Sequence, residues 1–241
     1  ILTRYIIYYH IEFATFQKNN DAKIIDMTTK GEDAYLEGGD VMMLDEQHIL
    51  VGCSERSTPE AFECLKQELF EKNVIDNLIR IVIAKDRSSM HIDTLFTQIS
   101  KNEYVIYKDT LTSDIIKVTR YNKDGSRTEY STLQEFFLSY NPDMKFIICG
   151  NGDPTYGARE QWTDGCNLVS VKNGVAIAYD RNFYTAVALK NAGYVVIDAE
   201  EFLANAPAPK SVEKTIISIP STELSRARGG PHCMTFPISR S

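Results

Sequence analysis

Residues 162–198 read WTDGCNLVSVKNGVAIAYDRNFYTAVALKNAGYVVID, and this stretch decides the fold. Two short apolar runs flank Asn173-Gly174, a dipeptide typical of the tight turn of a β-hairpin. A helical segment and a third apolar run follow, so the stretch predicts the order strand, strand, helix, strand. The predicted elements are strands at 168–171, 175–179 and 194–198 and a helix at 182–191.

The same ββαβ order occurs in two earlier copies, which predicts a repeat architecture. The first copy has predicted strands at 41–44, 48–53 and 78–84 and a helix from Pro59 to about residue 72, capped by Ser57 or Thr58. The second has predicted strands at 94–99, 104–108 and 145–149 and a helix at 133–140, with a polar excursion at 121–125. A helix at 2–13, a strand at 23–27, a polar loop at 199–214 and the first strand of a fourth copy, opening at Cys233, complete the prediction.

Polar side chains able to do chemistry stand just before, or at the start of, the first strand of every copy. They are Glu37 and Asp40, His91 and Asp93, Asp164 and Asn167, and His232 and Cys233. Repeats arranged around a pseudo-rotation axis bring equivalent positions together at one end. The sequence therefore predicts one central pocket that a thiol, a histidine and several carboxylates line.

The composition is that of an ordinary globular protein. Hydrophobic residues make up 43% and charged residues 24%, and the formal net charge is −7. An acidic chain has no general basic field for nucleic acid or an anionic membrane, so we expect neither as a partner. No apolar run approaches the length of a membrane span. A small cationic substrate fits this charge better.

The cysteines are odd in number and unclustered, at positions 53, 64, 149, 166 and 233. They show no C-x-x-C spacing, so the sequence predicts neither a disulfide framework nor a zinc site. A reducing compartment suits such thiols. We therefore predict a cytoplasmic protein that uses no metal and no other cofactor.

A thiol and a histidine are the minimum for nucleophilic catalysis with a general acid and base. Cys233 follows two arginines and a Gly-Gly-Pro turn, and cations nearby raise the thiolate fraction of a cysteine. Side chains alternate along an extended chain, so an extended segment would place His91 and Asp93 on one face. The same alternation would turn His232 away from Cys233.

The carboxylates Glu37, Asp40 and Asp93 are more than a peptidase pocket needs. They suggest a substrate whose electrophilic centre carries positive charge. A guanidinium meets that description, because carboxylates bind its planar fork through paired hydrogen bonds.

Five motifs resemble those of the arginine deiminase family, in the family's order over nearly the whole chain. They are EGGD at 37–40, GCSERST at 52–58, MHIDTLFT at 90–97, AREQWTDG at 158–165 and RARGGPHCM at 226–234. Each motif is weak alone, and together they are highly specific. The resemblance implies the guanidino-group-modifying (pentein) fold, an α/β propeller of five ββαβ blades with pseudo-fivefold symmetry.

The resemblance also implies hydrolysis of L-arginine to L-citrulline and ammonia without a metal. Cys233 would attack the guanidinium carbon and form a covalent amidino-cysteine. His91 would protonate the departing ammonia and then activate water. Glu37 and Asp93 would hold the guanidinium nitrogens and the histidine.

Substrate binding is implied for four further residues. Arg56 and Arg228 would receive the α-carboxylate of L-arginine, since a fixed guanidinium binds a carboxylate through two hydrogen bonds. Asp40 and Gly230 would complete the binding site. For Trp162 we expect packing within a blade rather than catalysis.

The resemblance is incomplete at the N-terminal side. Family members carry a further substrate-binding aspartate and a further arginine upstream of the helix predicted at 2–13, and neither has a counterpart in residues 1–241. We expect residues 1–241 to form one catalytic propeller domain of about three and a half blades, without its N-terminal portion. Such a chain is expected to be poorly active alone.

Two other functions stay open. The first is another guanidino-modifying enzyme of the superfamily, such as a dimethylarginine hydrolase or an amidinotransferase. The second is a non-catalytic propeller used as a binding module, which would need no thiol, histidine or acids at its strand mouths. The sequence also leaves open whether the chain forms a homo-oligomer.

Overall fold

A computed structural model of the chain describes residues 25–205, 211–226 and 228–235. The predicted helix at 2–13 and part of the predicted strand at 23–27 lie outside these residues. The described end of that strand prediction is wrong, because Met27–Thr29 is a 3₁₀-helix. In the described part of the chain, no helix is both long and apolar enough to cross a membrane.

The described residues form a mixed α/β structure with three sheets. Its α-helices are α1 Pro59–Glu71, α2 Lys108–Thr112, α3 Leu133–Tyr140, α4 Pro154–Trp162, α5 Phe183–Asn191 and α6 Ala199–Asn205. Its strands are β1 Val41–Met43, β2 His48–Cys53, β3 Asn77–Val82, β4 Phe96–Ser100, β5 Glu103–Ile106, β6 Lys117–Asn122, β7 Arg127–Tyr130, β8 Lys145–Ile148, β9 Val169–Lys172, β10 Val175–Tyr179, β11 Val195–Asp198 and β12 Thr215–Ile219.

The first sheet contains the first predicted ββαβ copy. Strands β1 and β2 form an antiparallel hairpin, and α1 crosses over so that β3 runs parallel to β2. Thr58 caps α1 by accepting a hydrogen bond from the Ala61 N–H at 3.2 Å, and Pro59 occupies the first turn. Both residues start a helix well, because a cap oxygen satisfies a free N–H and proline has no N–H to leave unpaired. The prediction for this copy is confirmed.

The predicted polar excursion at 121–125 is larger than expected and is structured. Strands β6 and β7 form a hairpin that joins the first sheet, with β6 antiparallel to β3. This hairpin lies in the chain between β5 and α3 of the second copy, so it ties the second copy to the first sheet. Val118 of β6 packs in one core cluster with Ile81 of β3 and with Phe96 and Phe137 of the second copy. The shared core sets the relative positions of the segments that precede the first strands of the two copies.

The second copy has the predicted order. Strands β4 and β5 are antiparallel, and β8 runs parallel to β5 after the helix α3. Thr132 caps α3 by accepting from the Glu135 N–H at 3.1 Å. The aromatic residues Phe96, Tyr104 and Phe137 are fully buried between this sheet and its helix. Large aromatic side chains contribute much apolar area to a core, so their burial helps to hold the copy together.

The prediction of a polar loop at 199–214 is wrong at its start, where α6 follows β11 directly. A further strand, β12, then inserts between β10 and β11 and runs parallel to both. The third sheet therefore has the order β11-β12-β10-β9, and β11 is its edge strand. The segment TIISI that forms β12 is rich in β-branched residues, which favour strands.

A buried carboxylate, Glu103, links the second sheet to the third. Its Oε2 accepts hydrogen bonds from the Tyr194 hydroxyl at 2.8 Å and the Ser100 hydroxyl at 2.9 Å, and its Oε1 lies 3.0 Å from Nζ of Lys214. Burial opposes ionisation, but these donors outweigh it and hold the pKa of Glu103 below its usual value. Ionised Glu103 thus stabilises the fold above its unfolded pKa, and this contribution is lost as the pH falls through the lower folded pKa.

We expect Glu103→Gln to lower the free energy of unfolding by about 2 kcal/mol at pH 7, because it removes a charged acceptor of three donors. The difference from the parent protein should begin to shrink below about pH 4.3, the usual pKa of a glutamate in an unfolded chain, and should vanish only below the lower folded pKa. Denaturant unfolding at pH 7 and pH 3.5 measures both values. Glu129→Gln, at a 71% exposed carboxylate beside Arg127, is the control and should have little effect. A difference that grows towards acid pH would contradict this account.

Candidate active site

Three short turns carry most of the predicted site residues. They are the 3₁₀-helices Gly38–Asp40, Ile92–Thr94 and His232–Met234. The first two precede the opening hairpins of the first two copies, and the third follows β12 of the third sheet. Hydrogen bonds between their side chains join all three turns, so residues far apart in sequence meet at one place.

His91 lies between two carboxylates. Its Nε2 is 2.7 Å from Oε2 of Glu37, and its Nδ1 is 3.9 Å from Oδ1 of Asp93. The ring packs over the Gly38-Gly39 turn, where a Cβ added at Gly39 would lie 2.6 Å from Nδ1. The second glycine of EGGD is thus required by the close approach of the histidine ring.

The prediction that His91 and Asp93 lie on an extended segment is wrong. Residues Ile92–Thr94 form a 3₁₀-helix, and the Ile92 N–H donates to Oδ1 of Asp40 at 3.0 Å. The two side chains still face each other, because the turn brings the histidine back over the aspartate. The expected proximity therefore has a different cause from strand alternation.

Asp93 is a buried carboxylate beside the thiol, with a side chain only 1% exposed. Its Oδ2 is 2.9 Å from Nδ1 of His232 and 3.9 Å from Sγ of Cys233. Its Oδ1 is buried and has no hydrogen-bond partner in the structure. A buried carboxylate oxygen without a donor is costly, so this oxygen is suited to receive N–H groups of a ligand.

Cys233 does not open a strand as predicted but lies in the 3₁₀-helix His232–Met234. The turn forms because the Cys233 N–H donates to the Gly230 carbonyl at 3.1 Å and Gly229 adopts a φ of 118°. The residue is exposed, while its Sγ faces Asp93 and lies 3.5 Å from Oδ1 of Asn167. Removal of the sulfur from water and the charge of Asp93 raise the pKa of this thiol to about 12. The thiol is therefore protonated at neutral pH when the site holds no cation.

His232 does not point away from the site, contrary to the strand-based prediction. In the turn it adopts, its Nδ1 reaches Oδ2 of Asp93 at 2.9 Å. Two histidines thus flank one carboxylate, because His91 approaches the other oxygen of Asp93.

Arg56 lies at the rim of the site. Its side chain is 49% exposed, and its Nη1 is 3.8 Å from Oε1 of Glu37. A second contact joins its Nη2 to Sδ of Met90 at 3.9 Å. This position leaves the guanidinium free to meet an anion that enters from solvent.

Arg228 is buried, with a side chain only 4% exposed. Its guanidinium lies 4.3 Å from the ring centre of Trp162, and its Nη2 donates to the Ser88 carbonyl at 3.3 Å. The expected blade packing of Trp162 is wrong, since its ring is 48% exposed and stacks on the arginine instead. Asp164 lies 4.0 Å away from Nε, and burial raises the pKa of the Asp164 carboxyl to about 6. Nε and Nη1 of Arg228 are buried without hydrogen-bond partners.

Asp40 lies beneath the site rather than in it. It is fully buried, with Oδ2 2.6 Å from the Ser54 hydroxyl and Oδ1 taken by the Ile92 N–H. Burial raises the pKa of Asp40, and a Cβ at Gly52 would lie only 2.2 Å from its Oδ1. Both oxygens are occupied by the protein, so this placement favours bracing of the His91 turn over the predicted contact with substrate.

Gly230 is buried against Asn167. A Cβ at Gly230 would lie 2.4 Å from Oδ1 and 2.5 Å from the backbone carbonyl of that asparagine. The glycine therefore permits a close approach of two segments. Gly230 was predicted to bind substrate, and in the structure it contacts Asn167. Within the described ranges, no group of three or more histidine, cysteine or acidic side chains is arranged to hold a metal ion.

The sequence model of the family described as arginine deiminase matches residues 1–240. The chain belongs to the arginine deiminase family. Arginine deiminases of Pediococcus pentosaceus and Staphylococcus aureus are 32% and 33% identical to it, and each alignment covers 100% of this chain and 54% of the relative. The chain thus spans about half the length of these curated relatives. The resemblance stated from the motifs is confirmed.

Solved structures give the same fold at lower identity. The DDAH of Pseudomonas aeruginosa, solved as a mutant with citrulline, matches with a TM-score of 0.54 and 16% identity over 96% of this chain and 64% of that one. A mutant of AgrE in its binary complex with L-arginine matches with a TM-score of 0.56 and 16% identity over 94% of this chain and 26% of that one. These matches place the arginine deiminase family member among pentein-fold proteins.

Two features of this family member had no predicted role in the site, although Asn167 was counted among the polar residues at the start of the third copy. Asn167 stands just before β9, the first strand of the third copy, where it is buried and contacts Cys233. The sequence signal for it was a polar residue directly before a predicted strand. The stacking of Arg228 on Trp162 had no signal in the spacing, because the two residues are 66 positions apart in the sequence. Long-range stacking depends on the packing of separate copies and not on local pattern.

An open cavity of about 590 Å³ lies away from this site. It is lined by Lys101, Glu103, Asp143, Lys145 and Lys214, among others, at the far end of β4 from His91. No predicted site residue lines it. We assign the chemistry to the strand mouths because the thiol, the histidines and the unpartnered carboxylate oxygen are there.

Proposed function

We propose that this chain carries the thiol site of an arginine deiminase, which hydrolyses L-arginine to L-citrulline and ammonia. The observation that carries the proposal is the buried, unpartnered Oδ1 of Asp93 beside His91 and Cys233. Such an oxygen next to a thiol and a histidine suits a cationic electrophile with several N–H donors. Membership of the arginine deiminase family supports a guanidinium as that electrophile.

The substrate cation also favours ionisation of the Cys233 thiol. A guanidinium held by Asp93 places positive charge within reach of Sγ of Cys233, which lowers the pKa of the thiol from its raised value of about 12. The thiol proton passes to solvent, and the thiolate attacks the guanidinium carbon and forms a C–S bond and a tetrahedral adduct. The C–N bond to one terminal nitrogen breaks after that nitrogen takes a proton from His91, and ammonia leaves.

The second half of the proposed reaction releases the product. His91, now neutral, takes a proton from water, and the resulting hydroxide attacks the amidino carbon. The C–S bond breaks and the thiolate of Cys233 returns, while the added hydroxyl loses its proton to solvent and becomes the carbonyl of L-citrulline. One water is consumed and one ammonia is released, so the atoms balance. Glu37, 2.7 Å from Nε2, orients the ring.

The arginines are proposed to bind the α-carboxylate of the substrate. Arg56 is exposed at the rim, and Arg228 has two buried nitrogens without partners. A carboxylate would satisfy those nitrogens through the paired geometry that guanidinium favours. Asp40 and Gly230 act in this proposal through the His91 turn and the Cys233 turn rather than by direct contact with the substrate.

We further propose that residues 1–241 belong to a single propeller domain in which the ββαβ copies are blades around a pseudo-fivefold axis. The three sheets, the two core clusters that join neighbouring sheets and the pentein-fold neighbours support this arrangement. A cytoplasmic location remains our prediction, and the five cysteines, all free thiols, suit a reducing compartment.

The function is tested by incubating the chain with L-arginine alone and following citrulline and ammonia. Equal amounts of both products without an amine acceptor would support hydrolysis. Product formation only with an added amine would instead indicate an amidinotransferase. A second arm compares alkylation of Cys233 by 2-chloroacetamidine and by neutral 2-chloroacetamide at pH 7.5. We expect the cation to react at least about tenfold faster, the factor that 1.4 kcal/mol of attraction provides. Equal rates together with no citrulline would contradict the proposal.

A further inference from the structure

Asn167 is fully buried and joins two of the three turns that form the site. Its Oδ1 is 3.4 Å from the backbone nitrogen of Cys233 and 3.5 Å from Sγ. Its Nδ2 donates to the backbone carbonyl of Asp93 at 3.2 Å. One amide side chain thus spans the nucleophile and the carboxylate, which are 140 positions apart.

The two ends of this amide are not interchangeable. The Asp93 carbonyl requires a donor, and the Cys233 N–H, which donates mainly to the Gly230 carbonyl, also points at this side chain, so the surroundings fix which end of Asn167 is oxygen. An aspartate could accept but not donate, and it would place a negative charge beside the sulfur. A leucine of similar size could do neither. Only an amide satisfies both turns at once.

Packing around Asn167 shows that the contact is tight. Gly230 approaches so closely that a Cβ there would lie 2.4 Å from Oδ1 of Asn167. The preceding residue, Cys166, accepts a hydrogen bond from the Thr97 hydroxyl at 2.6 Å through its backbone carbonyl. The backbone next to the asparagine is therefore hydrogen-bonded to Thr97 of β4, and its side chain contacts the Cys233 turn. Its position is set by the fold and not by rotation of a free side chain.

We propose that Asn167 is a positioning residue that sets the distance between Sγ of Cys233 and the carboxylate of Asp93. The inference rests on the proposed function, because that distance decides where the guanidinium carbon meets the sulfur. Without the amide, the exposed Cys233 turn loses one of its contacts with the Asp93 turn and keeps those of His232 and Cys233 with the Asp93 carboxylate. A misplacement of about 1 Å at a reacting atom costs on the order of 100-fold in rate.

The test compares two variants with matched controls at Asn182. That residue is also buried, and its amide accepts from the Thr163 hydroxyl at 2.6 Å and donates to the Thr163 carbonyl at 3.1 Å, away from the thiol. We expect Asn167→Ala to lower kcat by on the order of 100-fold with KM changed by less than about threefold. Asn182→Ala should leave kcat within about threefold of the parent.

A second measurement does not depend on turnover. Asn167→Asp keeps the shape of the side chain but adds charge beside Sγ, so 2-chloroacetamide should alkylate Cys233 about tenfold more slowly at pH 8, equivalent to one unit of thiol pKa. Asn182→Asp should react at the parental rate. Parental alkylation of the Asn167→Asp variant, or a kcat for Asn167→Ala equal to that of Asn182→Ala, would overturn the inference. If the parent forms no citrulline, the proposed function fails and the alkylation comparison alone decides the role of Asn167.

Discussion

Replacement of Cys233 by alanine is expected to abolish citrulline formation, with a loss on the order of 10⁴-fold or more, because no other thiol lies at the site. The free energy of unfolding should change by less than about 0.5 kcal/mol, since the residue is exposed and packs little apolar area. Citrulline assays and denaturant unfolding on the same preparation separate the two effects. Loss of activity with retained stability identifies a nucleophile rather than a structural cysteine.

The matched control is Cys64→Ala. Cys64 is also a free, partly exposed thiol, and its Sγ lies 3.8 Å from the Lys30 carbonyl on the far side of α1. We expect this variant to keep the parental rate. Citrulline formation by Cys233→Ala above about 1% of the parental rate would contradict covalent catalysis by this thiol. Equal losses in both variants would point to general damage to the fold.

Local patterns predicted most of the first three ββαβ copies. The turn at Asn173-Gly174, the cap at Thr58 and the helix at Leu133–Tyr140 all depend on neighbours in sequence, and the structure has each of them. Apolar runs that follow a turn also predicted β2 and β10 with their observed bounds. Short-range signals are sufficient for these elements because each element depends on residues only a few positions away in the sequence.

Elements that depend on a distant strand were missed. The strand Thr215–Ile219 has a strand-like composition, but its place between β10 and β11 follows from pairing with both neighbours. The β6–β7 hairpin likewise belongs to the sheet of a different copy. Sequence pattern predicts that a strand exists, and tertiary pairing decides which sheet it enters.

The acidic residues of the site also have properties that local sequence does not predict. Glu37, Asp40 and Asp93 all stand just before a predicted strand, and the resemblance implies a contact with substrate for each of them. In the structure Asp40 gives both oxygens to protein donors, whereas Asp93 keeps a buried oxygen without one. Binding capacity therefore depends on which hydrogen-bond partners the fold supplies, and these come from residues up to 139 positions away. The two aspartates should therefore respond differently to substitution.

Replacement of Asp93 by asparagine or alanine is expected to lower kcat/KM by on the order of 10³-fold, because the guanidinium loses its buried carboxylate partner, a loss of about 4 kcal/mol. The fold should not lose stability in proportion. Oδ1 of Asp93 is an unpartnered acceptor in the free protein, and burial of a charge without a donor opposes folding. His232 is 25% exposed and can donate to water when Oδ2 is removed. The free energy of unfolding is therefore expected to stay within about 1 kcal/mol of the parental value.

Asp40→Ala is the matched comparison and should behave in the opposite way. It leaves the Ile92 N–H and the Ser54 hydroxyl without their buried acceptor, which costs about 2 kcal/mol of stability. The 2-chloroacetamidine preference separates the roles further. Asp93→Asn should lose the faster reaction of the cation at Cys233, because the attracting charge is gone, whereas folded Asp40→Ala protein should retain it. If Asp93→Asn keeps the preference and Asp40→Ala loses it, the carboxylate that binds the guanidinium is not Asp93, and the unpartnered oxygen has only a structural meaning.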